Sequence, residues 1–175
     1  AWNCVNINPN AWVDGSGEQL YTPNYLQKMQ ALKNAQNPDF KFYVVLYEWD
    51  FLDSSLTNYL NDRLPYIDGV VYAFRQAKST ENFESEITTA KTILGDDKDL
   101  ITVAYVSATT WGIKDEAWVE DVLRKGLEHT EGIYAFTLVR DSRLQNPGFC
   151  ESLQGTEPQY TKNACVLQRV FAEYS

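Results

Sequence analysis

Histidine is nearly absent: His129 stands alone among 175 residues. A Ser-His-Asp triad would have to run through it. Its place at the end of an apolar-patterned helix suits a different role, a cation at the negative end of the helix dipole. Zinc-type clusters are excluded too, because neither a Cys-x-x-Cys nor a His-x-x-x-His spacing occurs. Basic residues are also few. Fifteen Lys and Arg face 24 Asp and Glu, a net charge of −9. No stripe is available to neutralise phosphates, which argues against nucleic acid or an anionic membrane as partner. No apolar run approaches the roughly 20 residues of a membrane-spanning helix. A phosphate-cradling glycine loop is missing as well. The nearest approach, DGSGE at 14–18, is not followed directly by a helix and reads as a turn. No cofactor is expected, and no metal. The acidic run GDDKD at 95–99 carries Asp96, Asp97 and Asp99, but it precedes a strand and reads as a solvated turn.

Cysteine is scarce: Cys4, Cys150 and Cys165. The last two bracket a polar stretch, ESLQGTEPQYTKNA. A disulfide there would close a loop of about 15 residues, worth roughly 3 kcal/mol in the chain-entropy account. Two reduced thiols are the alternative, one of them facing the core from a helix. A disulfide would place the protein in an oxidising compartment and leave Cys4 unpaired. The abundance of Asn, Tyr and Trp leans the same way, toward an extracellular or cell-surface location. The chain opens at Ala1 rather than Met, which fits a processed or partial form.

What is present is a repeated alternation. A helix is expected over 22–36, with Thr22 as cap, Pro23 at the first helical position, and Tyr25, Leu26, Met29 and Leu32 on one face. The run KFYVVLYEW at 41–49 reads as a buried strand. A short helix is expected over 54–62 and a strand over 67–74. The helix over 81–94 aligns Phe83, Ile87, Ala90 and Leu94, and Gly95 ends it. A strand over 100–107, a helix over 115–129 and a strand over 132–139 follow. A long loop then delivers a helix over 161–174, with Leu167, Val170, Phe171 and Tyr174 inward. CVNIN at 4–8 is a further strand.

One phrase occurs twice, YIDGVVYAFRQ at 66–76 and TEGIYAFTLVR at 130–140. Each has an acid and a glycine before an apolar run, as two equivalent strand starts would. Strands apolar on both faces, alternating with amphipathic helices, imply a parallel sheet with right-handed crossovers in one α/β domain spanning 1–175. Two arrangements satisfy this: a barrel-like or partial (β/α) barrel of the TIM type, and a flavodoxin-like open parallel sheet. Large aromatic and polar residues at the strand ends (YEWDF, YAFRQ, ATTW, LVRDSR) favour the barrel type. A five-stranded sheet so apolar would leave two sticky edges, so self-association or additional chain covering the edges is expected.

The runs IDGVVYAFRQ, NFESEITTAKTIL, LITVAYVS with TTWG, and WVEDVLRKGLEHTEGIYAFTLVRDS resemble the later half of glycoside-hydrolase-like TIM-barrel domains of unknown function. The opening YTPNYLQKMQALKNAQNPDFKFYVVLYEWD is similar to their earlier segments. The resemblance covers 21–142 and implies a barrel-type scaffold with a carbohydrate-related role. It carries no catalytic residues across.

In parallel βα scaffolds, sites lie at the carboxyl ends of strands. Glycoside cleavage needs two carboxyl groups there, about 5–5.5 Å apart for retention and about 6.5–9.5 Å for inversion. Glu48 and Asp141 are the favoured pair, with Glu48 as proton donor. Trp49 and Trp111 can stack on sugar rings, Arg75 and Arg140 can bind polar substituents, and Tyr47, Asp50 and Tyr105 stand at the same rim. The same residues have a plainer reading, as strand-end ion pairs and a plug for the barrel mouth. The two functions in contention are a glycoside hydrolase and a non-catalytic module for glycan binding or assembly.

Overall fold

A computed structural model describes residues 3–6, 23–47, 61–73, 79–106, 112–136, 141–146 and 148–174. The chain is α/β, with strands alternating with helices. Strands β1 (Asn3–Asn6), β2 (Phe42–Tyr47), β3 (Gly69–Ala73), β4 (Asp99–Tyr105) and β5 (Gly132–Phe136) lie in one sheet in chain order. The β1–β2 and β2–β3 pairs are parallel, with Asn3 opposite Phe42 and Tyr43 opposite Gly69. A flavodoxin-like sheet reverses its strand order at a switch point; the described sheet has no reversal, so that arrangement is not the one adopted. The helices are α1 (Pro23–Gln36), α2 (Phe83–Leu94), α3 (Glu116–His129) and α4 (Gln159–Glu173). The short helix expected over 54–62 lies almost wholly outside the described residues. Contacts divide the chain into two compact units, 1–73 with 88–101, and 74–87 with 102–175.

The first unit holds β1 to β3, α1 and the start of β4. All five residues of β3 are buried, as expected of a strand covered on both faces. Its start explains one half of the repeated phrase. The Asp68 carboxylate accepts the Phe42 N–H at 2.6 Å and both oxygens accept from Lys33 Nζ, at 2.7 and 2.6 Å. The Asp68 N–H donates to the Phe42 carbonyl at 2.8 Å, and the Asp99 N–H to the Asp68 carbonyl at 3.1 Å. Gly69 follows because a Cβ there would run into the Asp99 carbonyl oxygen. Asp99 in turn accepts from Lys41 Nζ and the Tyr43 hydroxyl, each at 2.6 Å. Partial burial opposes its charged form, but these two hydrogen bonds and the Lys41 charge outweigh it and hold Asp99 below the usual carboxylate range. The acids at these strand starts are therefore fastenings for neighbouring strands. On α1 only Leu26 of the expected face is fully buried, and Leu32 is 56% exposed.

The second unit holds the rest of β4, β5, α3, α4 and the first turns leading into α2. Ser79 Oγ accepts the Glu81 N–H at 3.1 Å and so starts a 3-10 turn, Thr80–Asn82, that runs into α2. Asp115 caps α3, its Oδ1 accepting the Trp118 N–H at 2.9 Å. Trp118, Val119, Val122 and Leu123 are buried as their spacing requires, but the next buried position is Gly126 rather than Leu127. A Cβ on Gly126 would press on Thr102 Oγ1 and Ile133 Cδ1. The buried face of α4 also differs from expectation. It is made by Thr161, Asn163, Ala164, Cys165, Val166 and Val170. Tyr174 lies at the surface and donates to Glu128 Oε1 at 3.1 Å. Ion pairs tie α3 to α4: Arg124 to Glu173 at 2.7 Å and Arg169 to Glu120 at 2.6 Å.

Candidate functional site

The strand ends of the second unit carry two fully buried polar side chains, both on the first turns of α4. Thr161 and Asn163 have no solvent exposure. Asn163 Nδ2 donates to the Val106 carbonyl at 3.1 Å and the Lys114 carbonyl at 2.8 Å. Its Oδ1 accepts from Gln159 Nε2 at 3.0 Å. One amide thus ties the end of β4 to the approach of α3. Tyr105, the last residue of β4, is half-buried beside this clamp in sequence. Buried amides are retained where every polar atom finds a partner, and Asn163 satisfies that.

Asp141, the acid expected after β5, is the N-cap of a 3-10 turn, Ser142–Gln145. Its Oδ1 accepts from the Arg143 N–H at 3.1 Å and from Arg143 Nε at 2.9 Å. Its Oδ2 accepts from Arg143 Nη2 at 2.7 Å and from the Thr161 hydroxyl at 3.2 Å. Arg143 also grips Glu157 with two bonds of 2.9 Å and stacks over Phe149, 4.7 Å from the ring centre. The Arg143 side chain, with the backbone N–H and Thr161 adding to it, lowers the Asp141 carboxyl to about 2. A carboxylate has about four lone-pair sites, and here all four are taken. Asp141 is therefore ionised at neutral pH. It is held as a carboxylate, with Arg143 and Thr161 engaging both of its oxygens.

Of the other expected site residues, Tyr47 ends β2. Glu48, Trp49, Asp50, Arg75, Trp111 and Arg140 lie outside the described residues. Cys150 and Cys165 are joined by a disulfide, S–S 2.05 Å, that closes the loop leading into α4. The sequence places Arg143 only among the residues that follow β5, and does not single out Glu157, Thr161 or Asn163. Three sit in or beside a loop without periodicity. Asn163 had a signal, a polar residue at a core-facing position of an otherwise patterned helix, but nothing in the chain names its distant partners. A groove of about 740 Å³ lies over α3 and α4, lined by Glu116, Glu120, Cys150, Cys165, Gln168 and Arg169 among others. Among the described residues no group of three or more His, Cys, Asp or Glu is arranged to hold a metal ion.

No family model matches this chain, and no curated protein does. Among solved structures it is similar to the chitinase domain of the spore coat protein CotE from Clostridium difficile, at 17% identity and a TM-score of 0.38. The match covers 71% of this chain and 46% of that one, so the chain spans less than half of the structure it matches. A likeness of this depth carries no argument about what the chain does.

Proposed function

We propose that this chain is a carbohydrate-binding (β/α) domain of barrel or part-barrel type, and that its strand-end rim holds a glycan without cleaving it. Two features support the carbohydrate reading. The sequence resembles glycoside-hydrolase-like barrel domains along 21–142, and the strand order without reversal agrees with a barrel segment. Tyr47, Trp49, Tyr105 and Trp111 supply rings for stacking, and Asp50, Arg75 and Arg140 supply polar contacts. The observation that favours binding over cleavage is that Arg143 and Thr161 already engage both Asp141 oxygens, so a sugar carbon would have to displace them. The location proposed is outside the cell or at its surface, supported by the Cys150–Cys165 disulfide. The sheet edges are proposed to be covered by a second copy or by further chain.

The second reading is hydrolysis with Glu48 as proton donor and Asp141 as the ionised partner. The low Asp141 carboxyl favours it, because such a pair needs one permanently charged member. Co-sedimentation with insoluble chitin, cellulose, xylan and peptidoglycan, paired with a reducing-sugar assay, separates the two. The binding reading expects retention on at least one glycan and no sugar release from the wild type. Release by the wild type that is lost in both Glu48→Gln and Asp141→Asn establishes the hydrolase instead. Absence of both retention and release removes the carbohydrate reading altogether.

A further inference from the structure

We propose that the Cys150–Cys165 disulfide is a redox-governed latch on two described segments of the second unit, 112–115 and 141–146. It does not rest on the glycan reading. The side chains that hold those segments are carried by the very stretch the disulfide closes. Glu157 holds Arg143, Thr161 holds Asp141, and Asn163 holds the Val106 and Lys114 carbonyls. Lys162 Nζ donates to the Gly155 carbonyl at 2.7 Å, folding the stretch back on itself. All four residues lie between the cysteines in sequence, 15 positions apart. With the disulfide closed, the start of α4 and its preceding loop have few alternatives to this arrangement. With it open, the stretch keeps the same partners, including the buried side chains of Thr161, Asn163 and Ala164, but holding them costs more chain entropy.

The bond is open to attack from outside. Cys150 is half-buried and Cys165 nearly enclosed, and both line the groove over α3 and α4. A thiolate of a dithiol reductant entering there attacks Cys150 Sγ. The Sγ–Sγ bond breaks, and Cys165 leaves as a thiolate that takes up a proton. The second thiol of the reductant then closes on the mixed disulfide and releases Cys150 as a thiol. Two electrons pass to the protein, and the dithiol becomes a cyclic disulfide. Segments 112–115 and 141–146 are then held or released according to the thiol poise of the surroundings.

Hydrogen exchange followed by NMR on the full chain, oxidised and then reduced with dithiothreitol, tests this. The reporters are the Asn163 Nδ2 protons and the N–H groups of Leu144 and Asn146, which donate to the Asp141 and Arg143 carbonyls. The N–H groups of Val122 and Leu123 on α3 report the core. Reduction is expected to speed exchange at the three loop reporters roughly a hundredfold, with the α3 amides unchanged and the original rates restored on reoxidation. Unchanged exchange at the loop reporters overturns the proposal. Equal acceleration on α3 overturns it as well, because the disulfide would then be a staple of the whole unit.

Discussion

Asp141 shows how an acid at a strand end can be occupied before any substrate arrives. Arg143 reaches it through its side chain and its own N–H, and Thr161 takes the remaining lone pair. The consequence for pH follows in sign. The ordinary value is 3.8 and the folded value about 2, so protonation is resisted in the fold. The stabilisation from this group is therefore complete above the ordinary value and is lost as pH falls from there through about 2. Asp99 and Glu173 are also lowered by their partners, Lys41 with Tyr43 for Asp99 and Arg124 for Glu173, so the informative quantity is a difference between proteins. Thermal melts of wild type and Asp141→Asn are expected to differ by a constant amount above about pH 4 and to converge toward pH 2. A gap that stays constant down to pH 2 would mean that Arg143 does not hold Asp141 in solution. At this scale the sequence was half legible. It marked Asp141 as a rim acid, but could not show that Arg143, two positions on, folds back to fill it.

Elements were more legible than their faces. The 3.6-residue spacing located α2 and α3 and most of their buried positions, because a helix that covers a sheet must be apolar where it touches. The misses have one physical cause. At an element's end, or where a neighbour is a loop, what a position touches is decided by chain far away in sequence. Tyr174 sits just past the end of α4 and is exposed, while Asn163 faces two loop carbonyls and is buried. Glycines separate the two kinds of constraint. At Gly69 on β3 an added methyl meets backbone, the Asp99 carbonyl, which is fixed by its own strand. At Gly126 on α3 it meets the ends of the Thr102 and Ile133 side chains. Overpacking costs about 1–3 kcal/mol, but an alanine in the last turn of α3 returns up to about 1 kcal/mol in helix propensity. Urea denaturation is therefore expected to show Gly69→Ala near or above the top of that range and Gly126→Ala the milder of the two, about 0–2 kcal/mol. The reverse order would mean that β4 yields more readily than two side chains do.

Across the whole chain, the alternation of strand and helix was readable because both periods and their turn residues recur, and the strands lie in the sheet in chain order. Closure was not readable. Eight strands are needed for a barrel, and the described sheet has five, with β1 and β5 at its ends. β5 is the more exposed of the described inner and end strands for which side chains are placed: Tyr134 is 53% exposed, whereas β3 is buried throughout. At neutral pH the charge of −9 opposes association of copies. Near the isoelectric point, about 4.6, that repulsion vanishes while the edge and its tyrosine remain. Static light scattering against pH is expected to peak near 4.6 and to rise at pH 7 when salt shortens the screening length. Tyr134→Lys places a charge on the edge strand and is expected to lower the peak as well as shift it upward in pH. A peak of unchanged height in that variant would assign the association to charge neutrality alone, with β5 taking no part.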